Sequence, residues 1–474
     1  MVDKRYKRLG KNTLLVFIGR AGSYFIGFLM LPLYTRWLTP SEYGTVDIIT
    51  VYSSILLSFV TCCLADAIFV FPKNADNEEK KQYYTSGLSF ILIAFFVCAL
   101  VLYGIKSFAF LFGGEGSFIG NIWYIYWMMV SAAFQSYTQQ FTRSIDKMVT
   151  YSVTGILQAL LVAIFSFLLV RQYKLGGYII AIVATNIIAA FFSMFHSGSY
   201  KYVAFNSIDK GPLFRLLRYG IPLIPNSIMW WMINGINRPI IEKIVGLSAL
   251  GVFAVANKFP SILSMCSSIF SNSWNITVLE EYGKEDFNSF FNRTAQMIMS
   301  LLIIFGCLVC LFSKLIVRIF ASSEFFDAWQ YIPLLTLSIL FLSFSDIVSG
   351  VFVAQKKSKY FFYSSLVGAL ASIALTIPLV YLFGLLGACV AVNISFLSIL
   401  VARIRFAWAS INQINLKYYI TSSILYLLVV VAITIDVNVC INIALSCILM
   451  GYVFYNNYDR FLSFFTLIKK RINN

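Results

Sequence analysis

Fourteen apolar stretches fill nearly the whole chain, each close to the roughly 20 residues a helix needs to cross a bilayer. Hydrocarbon offers backbone N–H and C=O groups no partner, so a run of this length can cross only as a helix that bonds to itself. The spans cover residues 12–33, 45–69, 83–105, 118–141, 151–170 and 176–195, then 214–236, 248–270, 294–312, 329–353, 360–383 and 385–406, and finally 418–435 and 437–455. A polar connector at 196–212 separates the first six from the rest.

Composition narrows the choice further. With 59% hydrophobic and 12% charged residues among 474, a soluble domain would expose apolar patches large enough to aggregate. The net charge of +16 does not point to nucleic acid, because its lysines and arginines are scattered through short loops. They read instead as topology signals: with the N-terminus inside, the cytoplasmic segments hold about 26 of them, Arg403 and Arg405 included, and the opposite side about eight. An even number of spans then places both termini in the cytoplasm. The opening KRYKRLGK looks like the basic region of a signal peptide, but no small-residue cleavage site follows, so an uncleaved first helix is expected.

Several activities lack raw material. The lone histidine, His196, ends a span, so neither a histidine-based catalytic site nor a zinc site is expected. Cys307 and Cys310 form a CxxC within an apolar run, where cysteine behaves as a small hydrophobe. No GxxxxGK[ST] phosphate loop occurs. Even the longest loops, about ten to twenty residues against the usual handful, leave no room for a soluble catalytic domain. The expectation is a protein that is not an enzyme, with no catalytic residues, metal or cofactor.

An internal repeat organises the spans. RWLTPSEYG at 36–44 resembles KIVGLSALG at 243–251, and Ser54, Ile55 and Leu56 answer Ser261, Ile262 and Leu263 at the same offset. Farther on, Lys147 answers Lys357, and LGG at 175–177 answers LLG at 385–387. Six spans per repeat make the two copies point the same way across the membrane. The expected fold class is all-α: a polytopic membrane protein of about 14 transmembrane helices, two parallel six-helix lobes around a central cleft plus two C-terminal helices. The expected divisions are 1–200, 201–410 and 411–474.

Charged residues inside apolar spans are costly and mark transport paths. Arg20 lies mid-span, with pairing to Asp66 or Asp47 as the structural alternative. Arg36 and Lys243 occupy equivalent repeat positions, where interfacial anchoring is the alternative. Arg238 lies one turn from Glu242, Lys258 falls within an apolar helix, and Arg143 precedes Lys147 at a cytoplasmic helix end. Together these suggest a basic, anion-binding interior. Asp346, then Asp66 and Asp47, are the acids available for a coupling proton or cation. Pro222, Pro225 and Asn226 suggest a bent, gating helix, or a static kink. The aromatics read mostly as membrane belts.

The opening KNTLLVFIGRAGSYFIGFLMLPLYTRWLTPSEYGTVDIITVYSSILL resembles the start of the polysaccharide export proteins, the Wzx-type flippases of O-antigen and capsule repeat units. Asn237-Arg238, Gly246, Gly251 and the Val-Ala-Asn-Lys ending at Lys258 resemble that family's pattern after the seventh helix. Asparagine replaces the usual aspartate, and phenylalanine a tyrosine. The resemblance implies membership of the multidrug, oligosaccharidyl-lipid and polysaccharide transporter superfamily. It implies a lipid-linked oligosaccharide substrate carried on undecaprenyl diphosphate, in the bacterial cytoplasmic (inner) membrane. Arg20, Arg36, Arg143, Arg238, Lys243 and Lys258 would meet the diphosphate by charge-assisted hydrogen bonds, and Tyr24 or Trp230 would stack on a sugar ring. Membrane lipids, a glycan polymerase and a chain-length regulator are the expected partners, and nucleic acid is not. Two other classes stay open: a cation-coupled multidrug exporter, which would favour an acidic cleft, and a membrane-embedded glycan transferase or polymerase, disfavoured by short loops.

Overall fold

The computed structural model describes residues 22, 26–109, 116–411 and 415–458. Among them every regular element is helical, and eight helices are long and apolar enough to cross a membrane. The all-α polytopic class is therefore what the chain adopts. Arg20 and Tyr24 lie outside the described residues.

The chain forms two compact units, divided between Trp231 and Met232. In the first, α1 (Leu31–Trp37) leads into α2 (Pro40–Val60), then α3 (Leu64–Val70), α4 (Asn77–Phe108), α5 (Ile122–Ser144), α6 (Met148–Ser197) and α7 (Lys210–Gly220). Helix α8 (Ile224–Asn234) straddles the division. The second unit holds α9 (Asn237–Ile244), α10 (Leu247–Glu281), α11 (Phe287–Leu311), α12 (Ser313–Phe320), α13 (Ile332–Ala354), α14 (Lys359–Ala407), α15 (Leu416–Thr434) and α16 (Val439–Tyr455).

Local chemistry explains where elements begin. Thr39 accepts from the Glu42 backbone N–H while the Glu42 carboxylate accepts from Thr39 N–H at 2.9 Å, and Pro40 occupies the first helical position. This capping box starts α2. At the corresponding point of the second unit Gly246, with φ 111°, turns the chain into α10.

The repeat is drawn in the backbone. Helices α2 and α10 begin 207 residues apart, at Pro40 and Leu247. Helices α5 and α13 lie 210 residues apart at both ends, and Asp146 and Lys356 follow them with φ 61° and 55°. The spans at 151–170 and 176–195 are one 50-residue helix, α6, bent at Lys174 (φ 50°, ψ −126°). Those at 360–383 and 385–406 are likewise one helix, α14, bent at Gly384 (φ 57°, ψ −132°). Three residues past each bend a glycine faces a carbonyl of the preceding arm: a Cβ on Gly177 would collide with Leu169 O, and one on Gly387 with Leu379 O.

Two spans differ from the sequence reading. The 45–69 span breaks at Cys62 and Cys63, both left-handed (φ 49° and 53°), although no glycine or proline marks the spot. The 214–236 span is divided into α7, a 3-10 turn at Ile221–Leu223 carrying Pro222, and α8 with Pro225 in its first turn. The preceding connector is fastened to α4. Thr85 donates to Tyr202 O (2.9 Å) and accepts from Ala204 N–H (3.0 Å), while Ser86 accepts from Asp209 N–H (3.0 Å). Beyond it Leu216 is fully buried against the α4–α5 core, and Gly220 packs so closely on the Cys62 carbonyl that a side chain would not fit.

Candidate functional site

Polar groups within the first unit gather between α5 and the two arms of α6. Gln135 and Gln139 stand one turn apart on α5, Gln158 on the first arm and Asn186 on the second. Gln135 Nε2 donates to Gln139 Oε1 (2.6 Å) and Gln158 Oε1 (3.3 Å), and Gln158 Nε2 donates to Asn186 Oδ1 (2.9 Å). Asn186 Nδ2 reaches Ser131 Oγ (3.3 Å) and Gln139 Nε2 the Tyr151 carbonyl (3.2 Å), closing a neutral ladder across three helical segments. Sequence reasoning overlooked these amides because it sought charges, helix-bending prolines and aromatics within the spans. The clue available was a pair of glutamines at helical spacing in a span, with an amide in each of the next two.

The sequence candidates of the first unit are spread over α1, α2, α3 and α5. Arg36 is exposed in the last turn of α1, where the neighbouring Trp37 carbonyl accepts from Lys174 Nζ at 2.7 Å. Asp47 is half-buried on α2, and Asp66 is exposed on α3. Arg143 ends α5 with its guanidinium over the Phe69 ring, 4.1 Å from the centroid.

In the second unit Arg238 Nη1 donates to the Asn234 carbonyl and to Asn237 Oδ1 (2.9 Å), with its guanidinium 5.5 Å from the Phe253 ring. Lys243 and Lys258 are exposed. Asp346 lies between α13 and α14, where its carboxylate accepts from Arg403 Nη1 at 2.9 Å. Arg403 is 1% exposed, extends Nε toward Ser364 Oγ (3.3 Å) and places its guanidinium 5.5 Å from the Phe361 ring. The acid's partner is thus Arg403, which the sequence reading counted among cytoplasmic topology charges. Pro222, Pro225 and Asn226 are exposed around the turn between α7 and α8.

A mostly apolar cavity of about 870 Å³ opens among α11, α13, α14 and α15. Leu340, Leu397 and Leu427 line it, with Asn393, Arg405 and Trp408 among its polar rim. Among the described residues no group of three or more histidine, cysteine, aspartate or glutamate side chains is placed to hold a metal.

Comparison with known proteins follows the same lines. A family model described as polysaccharide biosynthesis protein matches residues 9–274, more than half the chain. The chain belongs to that family. A second model, MatE, matches residues 222–382. The fold of this family member is similar to the lipid II flippase MurJ in an inward closed conformation, with TM-score 0.65, 15% identity, and coverage of 95% of this chain and 99% of that one. It is also similar to an inward-facing MATE-family multidrug resistance transporter, with TM-score 0.65 and 15% identity, over 82% of this chain and 94% of that one. An uncharacterized membrane protein of Methanocaldococcus jannaschii is 24% identical over 186 residues, 39% of this chain and 43% of that protein's length. These comparisons place the chain within the multidrug, oligosaccharidyl-lipid and polysaccharide transporter superfamily.

Proposed function

We propose that this protein is a flippase that moves an undecaprenyl-diphosphate-linked oligosaccharide, of the O-antigen or capsule repeat-unit class, from the cytoplasmic to the periplasmic leaflet by alternating access. One observation carries the choice over a drug exporter. The likeness to the lipid II flippase extends over 95% of the chain, whereas the MATE likeness extends over 82%. The family match to polysaccharide biosynthesis proteins supports the same choice.

Arg20, Arg36, Arg143, Arg238, Lys243 and Lys258 supply cations for the diphosphate, since guanidinium and ammonium groups bind phosphate through charge-assisted hydrogen bonds. The neutral ladder between α5 and α6 presents half-exposed Gln139 and Gln158, amides suited to sugar hydroxyls. Asp346, Asp66 and Asp47 are the coupling acids; protonating Asp346 would release its grip on Arg403. The bend around Pro222, Pro225 and Asn226 is the gating element.

The test is reconstitution of the purified full-length protein in proteoliposomes with a labelled undecaprenyl-diphosphate oligosaccharide. Flipping should depend on the protein, and Lys258→Ala should slow it without lowering membrane insertion. Efflux of cationic drugs with no movement of the lipid-linked glycan would favour the exporter instead.

A further inference from the structure

Arg143 is chemically unlike the other well-buttressed arginines. Arg238 and Arg403 spend their N–H groups on carbonyl, amide, hydroxyl or carboxylate oxygens. Arg143 makes no ion pair among the described residues, and its Nε is buried without a hydrogen-bond partner. What holds it is aromatic: its guanidinium lies 4.1 Å from the Phe69 centroid and 5.7 Å from that of Tyr151.

A second cation uses the same ring. Lys73, exposed in the turn after α3, places Nζ 6.0 Å from the Phe69 centroid, and it too has no carboxylate partner among the described residues. The two positive centres are therefore no farther apart than the sum of their distances to one ring. One turn before Arg143 on α5, Gln140 Oε1 is also buried without a partner, and rotation of a carboxamide exchanges acceptor for donor.

The magnitudes argue against a purely structural arrangement. A cation–π contact contributes about 0.5–2 kcal/mol, while a buried donor left unsatisfied costs about 1–3 kcal/mol. Two like charges on one ring add repulsion. The topology rule accounts for a positive residue at a cytoplasmic helix end. It does not account for two cations sharing a platform, neither of them ion-paired among the described residues, or for a buried N–H left open.

We propose that Arg143 and Lys73, held by the Phe69 ring, form a docking site for the diphosphate of the lipid-linked substrate at the cytoplasmic end of α5, with the Gln140 amide as a neutral donor. Two separated cations match a two-phosphate anion: the guanidinium fork takes one phosphate by paired N–H bonds and the ammonium takes the other as a point charge. The proposal rests on the flippase reading and adds Lys73, Phe69 and Gln140 to it, with the headgroup they would receive.

The experiment has two arms, both on full-length protein in lipid nanodiscs or proteoliposomes. In the first, inorganic diphosphate and inorganic phosphate are titrated by calorimetry. Wild-type protein should bind diphosphate more tightly than phosphate, and Arg143→Gln and Lys73→Gln should each weaken diphosphate binding by about tenfold, as expected for losing a charged hydrogen bond. Phe69→Leu, which keeps both charges and removes the platform, should also weaken it. Unchanged affinity in Arg143→Gln and Lys73→Gln, or no diphosphate binding by wild type, overturns the site. If Arg143→Gln does not fold, exposed Lys73 carries the test.

The second arm measures flipping of undecaprenyl-diphosphate oligosaccharide. A raised substrate requirement in Lys73→Gln, with unchanged maximal rate, supports docking. Full wild-type flipping with no change in any variant overturns the docking site and leaves the flippase reading standing. Diphosphate binding that depends on Arg143 and Lys73, in a protein that flips no lipid diphosphate, keeps the anion site and removes the flippase reading.

Discussion

In the first unit α5 and α6 are joined by the amides of Gln135, Gln139, Gln158 and Asn186, whereas in the second the equivalent pair, α13 and α14, is joined by the Asp346–Arg403 ion pair. At the 210-residue offset Asp346 answers Ser136, Arg403 answers Ser193, Gln135 answers Ser345 and Gln158 answers Gly368. None of the polar contacts is shared, yet the bends at Lys174 and Gly384 agree to within a few degrees in both φ and ψ. The repeat has kept what the backbone requires and let the interhelical chemistry diverge, one half neutral and the other ionic.

That contrast can be broken by mutation, and the ionic half should respond most. Arg403→Leu leaves the half-buried Asp346 carboxylate unpaired and should lower stability by about 3 kcal/mol, the low end for breaking a buried pair, whereas the Asp346→Leu/Arg403→Leu pair should recover much of the loss. Thermal unfolding in detergent, read as a double-mutant cycle, decides it; two independent, additive losses would show that the pair does not act as one unit.

The shared bends come next. Gly387→Ala and Gly177→Ala push a methyl into a backbone carbonyl and should each cost about 1–3 kcal/mol. Gly384→Asn, at an open position whose positive φ Lys174 shares in the other half, should cost about 1 kcal/mol, the low end for strained backbone. Equal losses at Gly384 and Gly387 would mean that conformation, rather than close approach, fixes the bend.

The neutral half should respond least. Interhelical hydrogen bonds in membranes average about 0.6 kcal/mol, with a maximum near 1.7, so Gln135→Leu should cost about 1 kcal/mol in the same unfolding assay. A loss as large as that of Arg403→Leu would erase the distinction between the two halves.

Much of this was legible in the sequence because hydrocarbon imposes a strict rule on length and polarity. The spans follow from it, and LGG and LLG, read only as matching repeat positions, prove to lie just past the bends. The break at Cys62–Cys63 was not legible, since neither residue favours a left-handed backbone and the surroundings hold it there. Arg403 was misread because the topology rule gives every basic residue near a cytoplasmic helix end the same explanation, buried or not. Lys73 and Phe69 escaped notice since a shared aromatic platform is a three-dimensional relation between residues that look ordinary alone.

The stretch from Gly198 to Gly220 reads as slack cord, yet hydroxyls of Thr85 and Ser86, the socket around Leu216 and the bare Cα of Gly220 against Cys62 turn it into a splint. Little of that tether is left to flex. Any hinge between successive elements here is confined to the few residues from Ile221 to Pro225, where two prolines interrupt the helical hydrogen bonding.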